Sequence, residues 1–261
     1  MKTKGPNGPA GAGRRRSPDR SRPAGPPLPA PGGSLAARLR RIVRLLEGRY
    51  GRPGHCAHET DPVANLILTI LSQNTTDKNR DRAFRSLMKR FPTLSRLAAA
   101  SPAAVEEAIR VGGLANAKAK AILSALARMK RERGAFSLDH LRGMTLSDAR
   151  AELVSWPGVG VKTANILLLF SFGMPAFPVD THILRVSKRL GLVPASADLA
   201  GAALRLEPHV PEGEAVPLHL NLIRLGREIC SPRSPRHAEC PLLPVCPEGA
   251  REMRAKRRAA R

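Results

Sequence analysis

Apolar residues recur at helical spacing along nearly the whole of this chain, and no stretch shows the apolar-polar alternation of a half-buried strand. Ser34 is placed to cap a helix carrying Leu35, Leu39, Ile42 and Leu46 up to Tyr50. Asp61-Pro62 opens a second by the cap-then-proline rule, with Val63, Leu66, Ile67, Ile70 and Leu71 on one face. After Ser72-Gln73-Asn74-Thr75-Thr76-Asp77 another helix holds Phe84, Leu87, Met88 and Phe91, and Ser101-Pro102 begins a short one that ends at Gly112-Gly113. A helix from about Asn116 has Ile122, Leu126 and Met129 in register. The pattern predicts further helices before Trp156, from Lys162, from Asp180 to about Leu190, and near Leu199 to Leu206 and Leu218 to Ile229. About ten helices joined by short polar connections make an all-α protein.

With 261 residues, 42% of them apolar, the chain can build one large or two modest cores, and at 3% aromatic those cores are aliphatic. The formal charge of +23, from 44 basic and 21 acidic residues, points to nucleic acid as partner. The tails hold +6 (residues 1 to 33) and +5 (residues 251 to 261), which leaves +12 for the middle. Residues 1 to 33 are rich in Pro, Gly and Arg and are expected to be disordered; eight prolines there argue against an amphipathic transit helix. The runs Arg14-Arg15-Arg16 and Lys256-Arg257-Arg258 predict salt-sensitive, sequence-independent affinity for DNA. No run approaches the roughly 20 apolar residues that span a membrane, and no secretory h-region is present, so a cytoplasmic protein is expected. Of four cysteines, three are bunched near the C-terminus, as ligands in a reducing compartment would be. Cys56 lies apart and reads as a small buried apolar residue.

The stretch from Trp156 to Arg185 carries the chemistry. Pro157-Gly158-Val159-Gly160 forms a tight turn between two helical segments, and glycine lets backbone N–H groups approach an anion closely. Lys162 follows just inside the next helix, where the positive dipole end favours a neutral amine, as a nucleophilic lysine requires. Asp180 precedes Thr181-His182-Ile183. Each has a plainer reading: a simple turn, a solvated lysine, an N-cap. Together, the block Pro-Gly-Val-Gly-x-Lys-Thr-Ala at 157 to 164 and Val-Asp-Thr-His-Ile at 179 to 183 resembles the helix-hairpin-helix DNA glycosylases, in particular the bacterial endonuclease III family. The similarity runs from Ser34 to about Ala250.

That resemblance implies two helical lobes with a DNA-binding cleft between them: residues 60 to 178, ending in the hairpin, and residues 34 to 59 together with 179 to 250. It implies a monomer acting on double-stranded DNA that holds a damaged base or abasic site, associated with the bacterial nucleoid. Lys162 would attack C1′ of a flipped nucleotide and Asp180 would assist, giving a bifunctional glycosylase and AP lyase for oxidised pyrimidines. Monofunctional relatives lack the hairpin lysine. Leu114 matches the leucine that wedges opposite the lesion; Gln73 and Asn74 compete for the second gap-filling role. Gly158, Val159 and Gly160 would hold a phosphate. His182 reads as a packed structural residue. Two alternatives stay open: a glycosylase for another base (uracil or thymine opposite guanine, an alkylated or oxidised purine), and a helix-hairpin-helix module that binds DNA without catalysis.

The C-terminal segment places Cys230, His237, Cys240 and Cys246 at the intervals of the family's Cys-x6-Cys-x2-Cys-x5-Cys pattern for a 4Fe-4S cluster, with His237 where the second cysteine belongs. Imidazole ligates iron in Rieske centres, so a cluster with one histidine ligand is expected; zinc or no metal are the alternatives. A metal there would hold a basic loop, with Arg227, Arg233 and Arg236, against DNA phosphates.

Overall fold

The computed structural model describes residues 33–53 and 61–259. Among them are twelve α-helices, five short 3-10 turns and no strand. The expected disorder of residues 1 to 33 and the reading of Cys56 fall, but for Gly33, outside the described residues. Helix α1 spans Leu35–Tyr50, α2 Pro62–Leu71, α3 Asp77–Arg90, α4 Leu94–Ala98, α5 Pro102–Ile109 and α6 Ala115–Arg133. They are followed by α7 at Leu146–Val154, α8 at Val161–Phe172, α9 at Thr181–Arg189, α10 at Leu199–Leu206, α11 at Ala215–Glu228 and α12 at Pro247–Ala259.

Local chemistry explains most of the boundaries. Ser34, Asp61, Thr76, Ser101 and Asp180 each accept a backbone N–H two or three residues on, which satisfies one of the orphan donors of a helix start. Gly134 and Gly173 end α6 and α8 in the left-handed conformation, donating to Lys130 O and Leu168 O.

Three differences from the sequence reading have physical causes. Helix α4, capped by Thr93, has five residues and too few positions to show a period. Helix α11 begins at Ala215, upstream of Leu218, because Pro217 in a first turn needs no N–H partner. The basic segment from 251 onward belongs to α12 through Ala259. Its inward face uses Gly249, Glu248 and Glu252 in place of an apolar stripe, so no periodicity announces it.

The buried hydrophobic residues form two cores. One is built from α2 to α8 around Leu66, Ile70, Leu87, Ile122, Leu126 and Leu167. The other joins α1, α9, α10 and α11 with the cysteine loop, around Leu46, Ile183, Val186, Leu222 and Cys246. Each fully buried leucine or isoleucine contributes about 1.5–3 kcal/mol. The hand-over falls between Ala176 and Phe177, in the strap that joins α8 to α9. Helix α8 therefore belongs to one lobe and α9 to the other.

Candidate active site

Asp180 follows that strap directly, and Lys162 lies one turn before Asn165, which is tied to it. Lys162 is the second residue of α8, and it is partly exposed. The helix is capped by Gly160, which offers no side-chain acceptor, so the first N–H groups of α8 have no cap. Among the described residues none forms a hydrogen bond or ion pair with the Lys162 amine. Asp180 caps α9: one carboxylate oxygen accepts from Ile183 N at 2.7 Å. Its other oxygen carries no hydrogen bond among the described residues. The amine and the carboxylate are thus delivered by two different helix starts, each at the positive end of its dipole.

A polar network fixes the two starts relative to each other. Asn165, one turn after Lys162, donates to Phe177 O at 3.2 Å and accepts from Arg150 Nε at 2.8 Å. Arg150 Nη2 lies 2.6 Å from both carboxylate oxygens of Glu207, and Glu207 also accepts from Phe177 N at 2.9 Å. His219 Nδ1 donates to Pro178 O at 2.9 Å. Both backbone groups of Phe177 and the next carbonyl are thereby pinned just ahead of Asp180. Sequence reasoning missed Arg150, Asn165, Glu207 and His219. Only Asn165, a polar residue in an apolar helix one turn past the lysine, left a local signal.

The hairpin is held from two sides. Gly158 adopts φ 78°, and a Cβ there would lie 2.5 Å from the Ala121 Cβ on α6. Val159 plugs into the first core, and its N–H donates to Trp156 O at 3.1 Å. The Val159 amide, read from the sequence as one of the anion-binding donors, thus makes a bond within the turn. Gly160 is exposed with nothing within 4 Å of a Cβ position, so its side is open. The Gln73 amide donates to Gly158 O at 3.0 Å and to Thr163 Oγ1 at 3.3 Å. Gln73 is therefore engaged with the hairpin, whereas the neighbouring Asn74 is exposed with no side-chain hydrogen bond among the described residues.

Asn74 (φ 50°) and Leu114 (φ 49°) are the two non-glycine residues with positive φ among the described residues. That conformation costs a leucine roughly 1–2 kcal/mol, whereas asparagine adopts it more readily. Leu114 is also 57% exposed. An exposed, strained leucine is a poor solution for folding alone. His182 lies against Gly226 of α11, where an added Cβ would come within 2.7 Å of the His182 Cβ.

Cys230, His237, Cys240 and Cys246 line one small cavity with Val186, Leu190 and Leu225. Among the described residues no three such side chains stand at metal-ligand spacing. The donor set nonetheless suits iron or zinc. Arg189 Nη1 donates to Cys230 Sγ at 3.2 Å, and Gly249 N donates to Cys246 Sγ at 3.3 Å. The buried Nε2 of His237 lies 3.0 Å from Glu252 Oε2 but off axis, and is left without a hydrogen-bond partner. Burial pushes the Cys240 thiol up to about 11 and raises that of Cys246, so without a metal both are thiols at neutral pH. Of the basic residues read beside the cluster, Arg227 pairs with Asp77 across the lobes and Arg236 with Glu239, while Arg233 is exposed and unpaired among the described residues.

Comparison with known proteins places this arrangement. Residues 67–207 match the model of the HhH-GPD superfamily base excision DNA repair protein. The endonuclease III of Thermotoga maritima is 36% identical over 212 residues, covering 80% of this chain and 92% of that protein. A protein of Arabidopsis thaliana provisionally named a DNA glycosylase is 39% identical over 173 residues, 66% of this chain, which spans 59% of that protein's length. A solved non-covalent endonuclease III–DNA complex superposes with a TM-score of 0.71 at 31% identity, covering 84% of this chain and 98% of the other. A trapped endonuclease III–DNA covalent intermediate gives a TM-score of 0.70 at 30% identity, over 84% and 98%. The chain belongs to the HhH-GPD superfamily of base excision DNA repair proteins and, within it, to the endonuclease III family.

Proposed function

We propose that this protein is a bifunctional DNA glycosylase and AP lyase that removes oxidised pyrimidines from double-stranded DNA. The observation that carries this reading is the Lys162 amine, partly exposed and unpartnered among the described residues, at the uncapped start of α8 with the half-used carboxylate of Asp180 beyond the strap. A damaged nucleotide leaves the stack and its phosphate rests against the open side of Gly160 and the first amides of α8. Lys162 attacks C1′, the base leaves with the bonding electrons, and the sugar ring opens to an iminium. Loss of a C2′ proton then expels the 3′ phosphate by β-elimination. Asp180 takes the proton from the incoming amine and stabilises the developing positive charge. A solved relative was captured as a covalent protein–DNA intermediate, which supports the Schiff-base step.

Leu114 and Asn74 fill the space that the nucleotide vacates. Asn74 takes the second role because the Gln73 amide is spent on the hairpin. Cys230, Cys240 and Cys246, with His237 as fourth ligand, would hold a 4Fe-4S cluster, whose role would be structural. Its ligand loop docks on α9 through Arg185 and Arg189, which donate to Cys230 O, Ser231 O and Pro232 O.

Borohydride trapping tests the chemistry. Wild type is expected to form a covalent complex with duplexes carrying an abasic site or thymine glycol, and Lys162→Gln with neither. Trapping on the abasic duplex alone would move the specificity to another base. No trapping on either would reduce the protein to a monofunctional glycosylase or a DNA-binding module.

A further inference from the structure

Lys118, in the first turn of α6, is 1% exposed and has no carboxylate partner. Its ammonium instead donates at 2.8 Å to Leu71 O and at 2.8 Å to Gly112 O. Leu71 is the last residue of α2, and Gly112 ends the 3-10 turn that follows α5. Both carbonyls are helix-end acceptors at the negative end of their dipoles, so one cation satisfies two orphan groups. Burial lowers the lysine's pKa, and the two acceptors offset part of that cost.

The position of these carbonyls matters more than their number. Leu71 stands three residues before Asn74, and Gly112 two residues before Leu114. The shared ammonium keeps the two loops within two hydrogen-bond lengths of each other at their roots. Lys118 N also donates to Leu114 O at 3.0 Å, so one residue fixes both the root and the tip of the second loop. Those loops carry the two non-glycine residues with positive φ among the described residues, one of them a strained leucine. Strain persists only where surroundings over-determine it, and Lys118 is the group common to both surroundings.

We propose that Lys118 is a positioning residue: a buried cationic clamp that sets the spacing of Asn74 and Leu114, and acts on lesion recognition through them without touching DNA. This rests on the reading of those two residues as gap fillers. It does not depend on the lyase chemistry of Lys162.

The test is a double-mutant cycle on binding. Full-length wild type, Lys118→Met, Leu114→Ala and the double variant are titrated against an undamaged duplex and one with a tetrahydrofuran abasic analogue, which needs no catalysis. The ratio of the two dissociation constants is the quantity of interest. Leu114→Ala is expected to lower this ratio at least tenfold and Lys118→Met at least fivefold, with undamaged-duplex affinity changed less than twofold. The double variant is expected to match Leu114→Ala within twofold, because the clamp has nothing left to place. The proposal is overturned if Lys118→Met keeps the wild-type ratio, if the two effects multiply, or if affinity for both duplexes falls together. Should Lys118→Met fail to fold in thermal unfolding, Lys118→Gln, one bond shorter and without the charge, replaces it in the same cycle under the same criteria. Failure of borohydride trapping alone would sink the lyase and leave this proposal standing.

Discussion

Gly158 and Gly160 stand in one turn and are glycine for different reasons. At Gly158 both backbone and packing demand it, through φ 78° and the 2.5 Å approach of a Cβ to Ala121. At Gly160 φ is −91° and the Cβ position is empty, so the fold tolerates a side chain there. Gly158→Ala is expected to destabilise the protein by at least about 2 kcal/mol. Gly160→Ala costs at most about 1 kcal/mol, the difference between glycine and alanine as N-cap, yet weakens DNA binding by closing the approach to the α8 amides. Thermal unfolding and duplex titration of both variants separate the two roles; equal loss of stability would show that Gly160 too is there for the fold. Sequence reading grouped these glycines with Val159 because spacing reveals a turn but not which of its faces is occupied. It likewise left Gln73 and Asn74 undecided, since only the fold shows that one amide reaches Gly158 O.

At the scale of elements, helix starts were legible and the ties between helices were not. Ser34, Asp61, Ser101 and Asp180 cap their helices through contacts within three residues, which a sequence displays directly. The Arg150–Glu207 pair spans 57 residues and joins α7 to the turn after α10. No local pattern foretells such a tie, and Lys118 in a first turn reads from sequence as a solvated lysine. The consequence of the long-range tie is measurable. Arg150 and Glu207 side chains are 14% and 12% exposed, so Glu207→Ala leaves a largely buried guanidinium without its carboxylate and orphans Phe177 N–H. The expected cost is about 3–5 kcal/mol, or a melting temperature lowered by roughly 6–20 °C for a chain of this size. Because Phe177 leads into Asp180, borohydride trapping should slow even at temperatures where the variant is fully folded. Unchanged trapping in a destabilised variant would confine the network to stability.

Lys162 and Asp180 come from helices with separate cores, so the site proposed for them needs the whole molecule and not either lobe alone. Its charge is arranged at the same scale. On α12 the two acidic residues face inward, Glu248 to Arg189 and Glu252 to His237. Arg251, Arg254, Lys256, Arg257 and Arg258 are left exposed and without ion pairs among the described residues. The helix continues from Cys246 and so extends the cysteine loop, where Arg233 is also unpaired. A solvated face would leave these charges far from DNA; a phosphate-tracking face would bring them onto it. The two differ in counterion release, because each phosphate contact contributes about 0.9 to the slope of log affinity against log salt. Replacing Arg254, Arg257 and Arg258 with serine is expected to flatten that slope by about 1 to 3 on an undamaged duplex. The abasic-to-undamaged affinity ratio should stay constant, since phosphate contacts position the protein but do not read the lesion. A slope equal to that of wild type would return α12 to the role of a solvated basic helix and place the salt-sensitive contacts on the rest of the chain.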